Sequence, residues 1–281
     1  MSSIDWGDDD LKLLFQHLSA VVDTNKVMLV GARCRDILHR RYSAVPPQRK
    51  TEDIDIAIAI NSADEFKRLR DRFAAPRSPW QRLSIAGMSI DVVPFGGVEA
   101  PPGFFMSADG HKLHVSGFRE VFAASELYQL SGIDGIDTGV AFRLPTPAGL
   151  AALKLHAWLD RYPEGQYKDA IDLALIIAWY DNDDLSLWDT YFALECSHVE
   201  FDGDPDLMAA YVLGDQISAL LGLDAATYLL DRLRSDLANS PNHELLATKL
   251  VAGQGWDRSL SVRLLQIEAL IAGMAGHFQR L

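Results

Sequence analysis

The sequence predicts an α/β (α+β) fold, in which a mixed β-sheet flanked by helices is followed by a C-terminal helical domain. Two observations indicate the sheet: the apolar run 27–30 leads directly into a helical pattern, and residues 54–60 alternate strictly between Ile and Asp or Ala. The helical domain is indicated by the pattern from Pro145 onward, which is almost wholly helical. We therefore assign residues 1–145 to a first domain and residues 146–281 to a second.

Composition limits the classes of protein to which the chain can belong. Its 281 residues are 48% apolar, which is enough to bury a substantial core. No run reaches the ~18 uninterrupted apolar residues of a membrane span, and the N-terminus lacks a signal-peptide pattern, so we expect a soluble, cytoplasmic protein. The two cysteines, Cys34 and Cys196, match neither a metal-binding spacing nor a disulfide framework.

The net charge of −13 is concentrated in the last third of the chain. Residues 181–281 contain 6 basic and 16 acidic side chains, whereas residues 1–180 contain 20 and 23. A strongly acidic chain disfavours nonspecific nucleic-acid binding, which depends on neutralising phosphates. The basic segment at residues 33–50 is an exception, and it is either a local nucleic-acid groove or a solvated helix face.

The spacing of apolar residues predicts the elements of the first domain in order. Residues 8–22 have the pattern of an amphipathic helix, residues 27–30 form a short buried strand, and Gly31 begins a second helix. A loop at residues 46–48 then leads into the strand at 54–60. Further along we predict a helix at 63–74, a strand at 88–93 closed by a turn at 94–97, strands at 112–118 and 139–144, and a helix at 119–130 between them.

The second domain begins with a clear helix signal. Thr146 is a favourable N-cap and Pro147 is well suited to the first helical position. This helix carries Lys154 and Arg161 seven residues apart on one face, and residues 162–165 end it.

The next helix opens with Lys168 and Asp169 and adds Asp172 one turn later. Lys168 and Asp172 stand at i and i+4, which is also the spacing of a routine helix salt bridge. The sequence alone therefore leaves both a structural and a functional interpretation of this cluster open.

Asp53 and Asp55 are the most informative residues for function. In a strand they project from the same face about 6 to 7 Å apart, a separation that lets both reach a shared divalent ion. The alternative is a surface strand whose polar face carries two Asp residues, although Asp is depleted in strands and like charges repel. Asp91 projects from a later strand as a third carboxylate, and Gly31 lets backbone approach phosphate oxygens at a helix N-terminus.

Together these residues resemble the polymerase-β-type nucleotidyltransferase superfamily. Its core has a Gly-Gly or Gly-Ser turn, then an Asp-x-Asp strand and a third strand Asp; here the turn is Gly31-Ala32. The AbiEii/MenT branch is similar in three further respects: the longer gap before the Asp pair, the approach Arg49-x-Thr51-x-Asp53-x-Asp55, and the downstream series Lys154, Arg161, Lys168-Asp169 and Asp172. Many members of that branch are toxins of toxin–antitoxin or phage-defence systems, and the resemblance covers about residues 27–178.

The resemblance implies a nucleotidyltransferase-like core that binds an NTP and Mg²⁺ or Mn²⁺. Asp53, Asp55 and Asp91 are the implied metal ligands, and Mg²⁺ favours such hard oxygen donors. Lys154 and Lys168 are implied catalytic residues that hold the phosphates. The implied nucleotide-binding residues are Gly31, Ala32, Arg33, Arg49, Thr51, Lys154, Lys168 and Asp169.

We therefore expect a metal-dependent nucleotidyltransferase that moves a nucleoside monophosphate from an NTP to an acceptor hydroxyl, as a toxin-like or defence enzyme with an antitoxin partner. The first hypothesis for the acceptor is RNA, with tRNA 3′ ends favoured by the resemblance and the basic segment 33–50 as the contact. The second is a protein or small-molecule hydroxyl, which suits the acidic charge better. The third is a non-catalytic nucleotide-binding or partner module, against which the presence of all three Asp residues argues.

Overall fold

A computed structural model describes residues 8–43, 45, 53–74, 78–131, 137–180, 187–194, 201–251 and 259–280. The predicted loop at 46–48 and the candidate residues Arg49 and Thr51 lie outside the described residues. The chain divides into two compact units. One comprises Met1–Arg35 and Arg49–Thr146, and the other comprises Asp36–Gln48 and Pro147–Leu281.

The first unit is built on a mixed sheet. The strands described in this unit are β1 (Val27–Val30), β2 (Ile54–Ile60), β3 (Arg82–Ile85), β4 (Met88–Gly96), β5 (Phe104–Met106), β6 (Lys112–His114), β7 (Glu126–Ser131) and β8 (Asp137–Leu144). Six of them form one sheet in the order β3-β4-β2-β1-β8-β7, while β5 and β6 form a separate hairpin. The pairs β2/β4 and β1/β8 are parallel, and the other pairs in the large sheet are antiparallel.

Helices in the first unit bury an apolar face against this sheet. They are α1 (Asp8–Leu18), the first residues of α2 (Gly31–Tyr42), α3 (Ala63–Phe73) and α4 (Phe118–Ala123). Leu11, Leu14 and Leu18 of α1 are buried at helical spacing, and Phe15 stacks on Phe142 of β8 with ring centroids 4.4 Å apart. All four residues of β1 are buried, as a strand in the middle of the sheet requires.

The second unit is helical in all of its described elements. These are the end of α2, then α5 (Pro147–Arg161), α6 (Lys168–Tyr180), α7 (Leu187–Ala193), α8 (Pro205–Leu237), α9 (Ser240–Val251) and α10 (Leu260–His277). Helix α8 is interrupted at Gly222, where φ is 73° and ψ is 171°. Among the described helices, α8 is the one whose length and apolar composition would allow it to cross a membrane, but most of that stretch is buried inside the protein.

Helices α8 and α10 approach each other closely at two glycines. A Cβ added to Gly214 would lie 2.1 Å from the backbone oxygen of Leu270, and a Cβ added to Gly273 would lie 2.0 Å from the backbone oxygen of Tyr211. Both distances are far below van der Waals contact, and the opposing atoms are backbone atoms that cannot turn aside. The close crossing of these helices therefore requires glycine at both positions.

We expect Gly273→Ala to lower the free energy of unfolding by about 1 to 3 kcal/mol, because the added methyl group forces α8 and α10 apart. Gly276→Ala is the matched control on the same helix. Its Cβ would mainly meet the end of the flexible Arg280 side chain, so its loss should be clearly smaller. Urea unfolding of both variants measures the difference, and equal losses would contradict the close-packing explanation.

The fold class predicted from the sequence is confirmed: a mixed sheet flanked by helices is followed by a helical region. β1, α3 and α5 also begin and end within about a turn of their predicted positions, and α6 begins at Lys168 as predicted. Other boundaries were wrong. The first helix ends at Leu18 rather than residue 22, and the strand predicted at 112–118 ends at His114 because Phe118 begins α4.

The helix predicted at 119–130 is wrong in its second half. Helix α4 ends at Ala123, and the following stretch Glu126–Ser131 is strand β7, which pairs antiparallel with β8. Its six residues, with apolar side chains at 127, 128 and 130, match neither the strand period nor the helix period clearly, and pairing with β8 decides between them. Two short strands, β3 with four residues and β5 with three, were also not predicted.

The turn predicted at 94–97 begins later, because β4 continues through Pro94 to Gly96. Proline lacks an N–H and is tolerated where a strand has no partner on that side. The N–H of Val92 points toward Gln81, on the side of β3, and the nitrogen of Pro94 points the same way two residues later. The pairing with β3 ends at Asp91, so no ladder hydrogen bond is lost at Pro94.

Candidate active site

Four neighbouring strands each contribute one residue to a row across one face of the sheet. Arg82 of β3 pairs with Asp91 of β4, Asp91 pairs with Asp55 of β2, and Asp55 pairs with Val30 of β1. Paired residues on adjacent strands lie about 4.8 Å apart and project to the same face. Asp55 and Asp91 are therefore immediate neighbours, although 35 residues separate them in the sequence.

Asp53 stands just before β2 and is exposed. It is two residues from Asp55 and therefore belongs to the same face of the strand. The two sequence-predicted strand carboxylates and Asp91 therefore belong to one region of the sheet.

Gly31 is packed directly against Asp55. It begins α2 with a φ of 67°, and a Cβ added to it would lie 2.0 Å from Oδ2 of Asp55 and 2.6 Å from Cγ. Any side chain at this position would collide with the carboxylate and would also strain the backbone. The absence of a Cβ therefore allows the first turn of a helix to stand beside the Asp55 carboxylate.

Arg82 holds Asp91 in a bidentate ion pair. Its Nε donates to Oδ1 at 2.9 Å and its Nη2 donates to Oδ2 at 2.8 Å. The hydrogen bonds and charge of Asp91 raise the pKa of the Arg82 guanidinium above its ordinary value, and the charges of Asp53 and Asp55 act in the same direction. Arg82 is therefore a permanent positive charge at the outer end of the row, directly beside Asp91.

Arg82 was not among the predicted site residues, because β3 was not predicted. A signal was present: Arg82, Leu83, Ser84 and Ile85 alternate in polarity and are followed by Ala86-Gly87, a two-residue turn before the predicted strand at Met88. Both turn residues have positive φ, 51° and 82°, which is typical of a tight hairpin turn. That hairpin fixes the register in which Arg82 faces Asp91.

The remaining predicted residues near α2 are placed as follows. Ala32 is the second residue of the helix and is partly exposed. Arg33 follows it, and its Nη2 lies 3.4 Å from Oδ2 of Asp10 on α1, so this guanidinium contributes to a structural ion pair. In the basic segment Arg35 is buried, whereas Arg40 is exposed near the end of α2.

The helical unit contains a second charged cluster, which is buried. Nζ of Lys154 on α5 lies 3.1 Å from Oδ1 of Asp169 and 2.6 Å from Oδ2 of Asp172 on α6. Arg161 adds a third contact, 3.3 Å from Oδ2 of Asp169. The structure thus brings four of the downstream motif residues together, and Asp172 pairs with Lys154, although the sequence had offered Lys168 as its partner.

The Lys154 ammonium remains charged despite its burial. Burial alone would lower the pKa of Lys154, but the charges of Asp172 and Asp169 and their hydrogen bonds outweigh it, so the pKa lies above its ordinary value. Lys168, the first residue of α6, is exposed instead. The two predicted phosphate-binding lysines therefore differ: the Lys154 ammonium is held by two carboxylates, and the Lys168 side chain extends into solvent.

The donor set on the sheet suits a hard divalent cation. Asp53, Asp55 and Asp91 offer carboxylate oxygens from adjacent strands, which are the ligands that Mg²⁺ and Mn²⁺ favour. Within the described part of the chain, no three His, Cys, Asp or Glu side chains lie close enough to surround an ion as they stand. The residues fit the cation in the chemistry of their donors and in strand register. Both oxygens of Asp91 bond Arg82, so this ion pair would have to open before Asp91 could ligate the ion.

Comparison with known proteins gives one family. The family model described as "Nucleotidyl transferase AbiEii toxin, Type IV TA system" matches residues 12–219, about three quarters of the chain. The match runs from within α1 to within α8 and includes the whole Asp53/Asp55/Asp91 region and the Lys154 cluster. No curated protein matches the chain.

Proposed function

The chain belongs to the AbiEii nucleotidyl transferase toxin family, and we propose that it is a metal-dependent enzyme that moves a nucleoside monophosphate from an NTP to an acceptor hydroxyl. The observation that carries the proposal is the face of the sheet where Asp53, Asp55 and Asp91 meet beside Gly31. Nucleotidyl transfer needs charge neutralisation on a triphosphate and a route for its oxygens to approach the protein backbone. Three carboxylates beside a helix that begins with glycine suit both needs.

In this proposal Asp53, Asp55 and Asp91 hold Mg²⁺ or Mn²⁺. When bound there, the ions would supply charge neutralisation on the triphosphate and lower the pKa of the attacking hydroxyl. Because Gly31 has no side chain, the backbone N–H groups of Gly31 and Ala32 can donate to phosphate oxygens beside the Asp55 carboxylate.

We assign phosphate binding to Lys168 and keep Lys154 as a fixed charge within its buried cluster. Lys168 offers an exposed ammonium that can move to a phosphate, as lysine commonly does. Lys154 is fixed by Asp169 and Asp172, so these two carboxylates set the position of its charge. Arg49 and Thr51 remain predicted nucleotide-binding residues on the strength of the motif alone.

RNA, and in particular a tRNA 3′ end, is our first choice of acceptor. Support comes from the resemblance and from exposed basic residues such as Arg40 and Arg41 at the end of α2. The net charge of −13 gives some weight to a protein or small-molecule hydroxyl as the alternative. We further propose that the enzyme acts in the cytoplasm and is countered by an antitoxin, as the toxin–antitoxin character of the family suggests.

A labelling experiment tests the proposal and separates the acceptors. The protein is incubated with Mg²⁺, each α-labelled NTP in turn, and total RNA or total protein. We expect label to appear in RNA and Asp55→Asn to lower the transfer by roughly 100-fold or more, because one of the charges that stabilise the transition state is lost. Asp71→Asn, a neutralised exposed carboxylate on α3, is the matched control and should transfer normally.

Other outcomes would change the conclusion. Label in protein or in a small molecule would replace RNA as the acceptor. A folded wild-type protein that binds no NTP and labels nothing would contradict the enzyme proposal and favour a partner module. Equal transfer by wild type and Asp55→Asn would contradict the assignment of the site.

A further inference from the structure

We propose that Arg82 neutralises Asp91 in the absence of metal and is replaced there by a divalent ion. Arg82 must release Asp91 before the ion can bind the carboxylates of Asp53, Asp55 and Asp91. Arg82 is then a positioning residue that sets the metal affinity of the site. This inference rests on the proposed function, because it assigns a control element to the same metal site.

The geometry of the ion pair sets up the competition. The Nε–Oδ1 and Nη2–Oδ2 distances of 2.9 and 2.8 Å are those of a well-formed bidentate pair, in which the planar guanidinium occupies one side of both carboxylate oxygens. A metal ion seeks lone pairs on the same two oxygens. It would also be repelled by a guanidinium held against the ligand, so binding is favoured when Arg82 moves away.

The surroundings of Arg82 allow it to move. Its side chain is 40% exposed and that of Asp91 is 22% exposed. Arg82 also belongs to β3, which has four residues and stands at the edge of the described sheet. The contrast with Lys154 is clear: that ammonium and its partners are at most 9% exposed, so it cannot leave its carboxylates for water.

Repulsion among the carboxylates explains why a positive charge such as that of Arg82 is needed when no metal is bound. Asp91 and Asp55 are neighbours in the sheet and Asp53 stands two residues before Asp55, so the negative charges repel one another when no cation is present. Asp53 and Asp55 also raise the pKa of Arg82, although Asp91 has the larger effect, which shows that the guanidinium is within the field of all three. A divalent ion supplies more positive charge at the same place and can take over this role.

Metal affinity measured without substrate tests the exchange. The decrease of the free-ion signal in electron paramagnetic resonance measures Mn²⁺ binding to wild type, Arg82→Gln and Arg82→Lys. We expect Arg82→Gln to bind Mn²⁺ about 5- to 10-fold more tightly, because a competing positive charge is removed. Arg82→Lys should fall between them, since lysine keeps the charge and cannot form the bidentate pair.

Arg119→Gln is the matched control for the loss of a positive charge. Arg119 pairs with Glu99 at 3.5 Å and donates to the backbone oxygen of Gly96, about 16 Å along β4 from Asp91. Its Mn²⁺ affinity should equal that of wild type. A second measurement needs no variant: Mg²⁺ should shift the Nε–H resonance of Arg82 and speed its exchange with water, as the pair with Asp91 opens.

The outcomes separate this inference from the proposed function. If wild type binds Mn²⁺, Asp55→Asn weakens binding, and Arg82→Gln binds no more tightly than wild type, the exchange is wrong and the metal site stands. If Mg²⁺ leaves the Arg82 resonance unchanged while it binds, the exchange is likewise wrong. If neither wild type nor Arg82→Gln binds Mn²⁺, the metal site itself is wrong and the exchange fails with it.

Discussion

Lys154→Met is expected to lower the free energy of unfolding by about 3 to 5 kcal/mol, the usual cost of leaving a buried charge without its partner. The ammonium lies 3.1 Å from Asp169 and 2.6 Å from Asp172, and the side chains of these two residues are 1% and 4% exposed. Methionine fills a similar volume but offers no charge. Two carboxylates would then face each other in the interior, with Arg161 left to compensate Asp169.

Lys168→Met provides the matched control, since it makes the same chemical change at the exposed first residue of α6. It should alter stability by no more than about 0.5 kcal/mol. Urea unfolding with linear extrapolation measures both variants. If Lys154→Met also costs less than about 1 kcal/mol, the cluster does not act as a buried ion pair. The triple variant Lys154→Met/Asp169→Asn/Asp172→Asn should recover much of the loss, because no buried charge is left without a partner.

The sign of the pH dependence follows from the raised pKa of Lys154. A lysine whose folded pKa exceeds its unfolded value of about 10.5 contributes its full stabilisation below that value. The contribution is lost only as the pH rises through the folded pKa. We therefore expect the ammonium to stabilise the protein fully at neutral pH and to stop doing so only in strongly alkaline solution, which unfolding curves at pH 8 and above pH 11 would reveal.

Gly31→Ala is expected to lower nucleotidyl transfer as strongly as Asp55→Asn, by roughly 100-fold or more, although it changes the charge of no residue. The new Cβ would lie 2.0 Å from Oδ2 of Asp55, so the carboxylate must leave its place or the start of α2 must move away. The φ of 67° adds backbone strain of about 1 to 2 kcal/mol. Transfer activity, Mn²⁺ affinity and stability should all fall together.

The Gly87→Ala variant measures the cost of backbone strain at a positive φ without a steric clash. Gly87 has a φ of 82° in the turn between β3 and β4, but an added Cβ would meet nothing within 4 Å. Its variant should show only the cost of strain and keep its Mn²⁺ affinity. In an Asp55→Ala background, Gly31→Ala should cost less stability than in wild type, because the two closest atoms are gone. Equal costs in both backgrounds would show that Asp55 is not what Gly31 accommodates.

The sequence predicted those parts of the site that depend on local pattern. Alternation placed Asp53 and Asp55 on one face of a strand, and Gly31 was recognised as a turn into a helix. The fold class followed from the same patterns, because strand and helix periodicities are local properties. The contact between Gly31 and Asp55 is different, since it depends on the pairing of β1 with β2, and no property of either segment specifies that distance.

The strands and contacts that were not predicted depend on segments elsewhere in the chain. Arg82 belongs to a four-residue strand, which is too short for its alternation to stand out. The segment Glu126–Ser131 becomes a strand because β8 is available to pair with it. Likewise the i, i+4 spacing offered Lys168 as the partner of Asp172, whereas α5 packs against α6 and supplies Lys154.

The order in which the sheet can assemble follows from the register of β4. Arg82 and Asp91 are joined by a tight hairpin, and hairpins of this kind close within about 1 to 10 μs. Asp55 and Asp91 meet only through a parallel pairing of segments distant in the chain, which is slower. We therefore expect Asp91 to be paired with Arg82 before it meets Asp55, and a polypeptide that ends before β4 would carry only two of the three carboxylates of the proposed site.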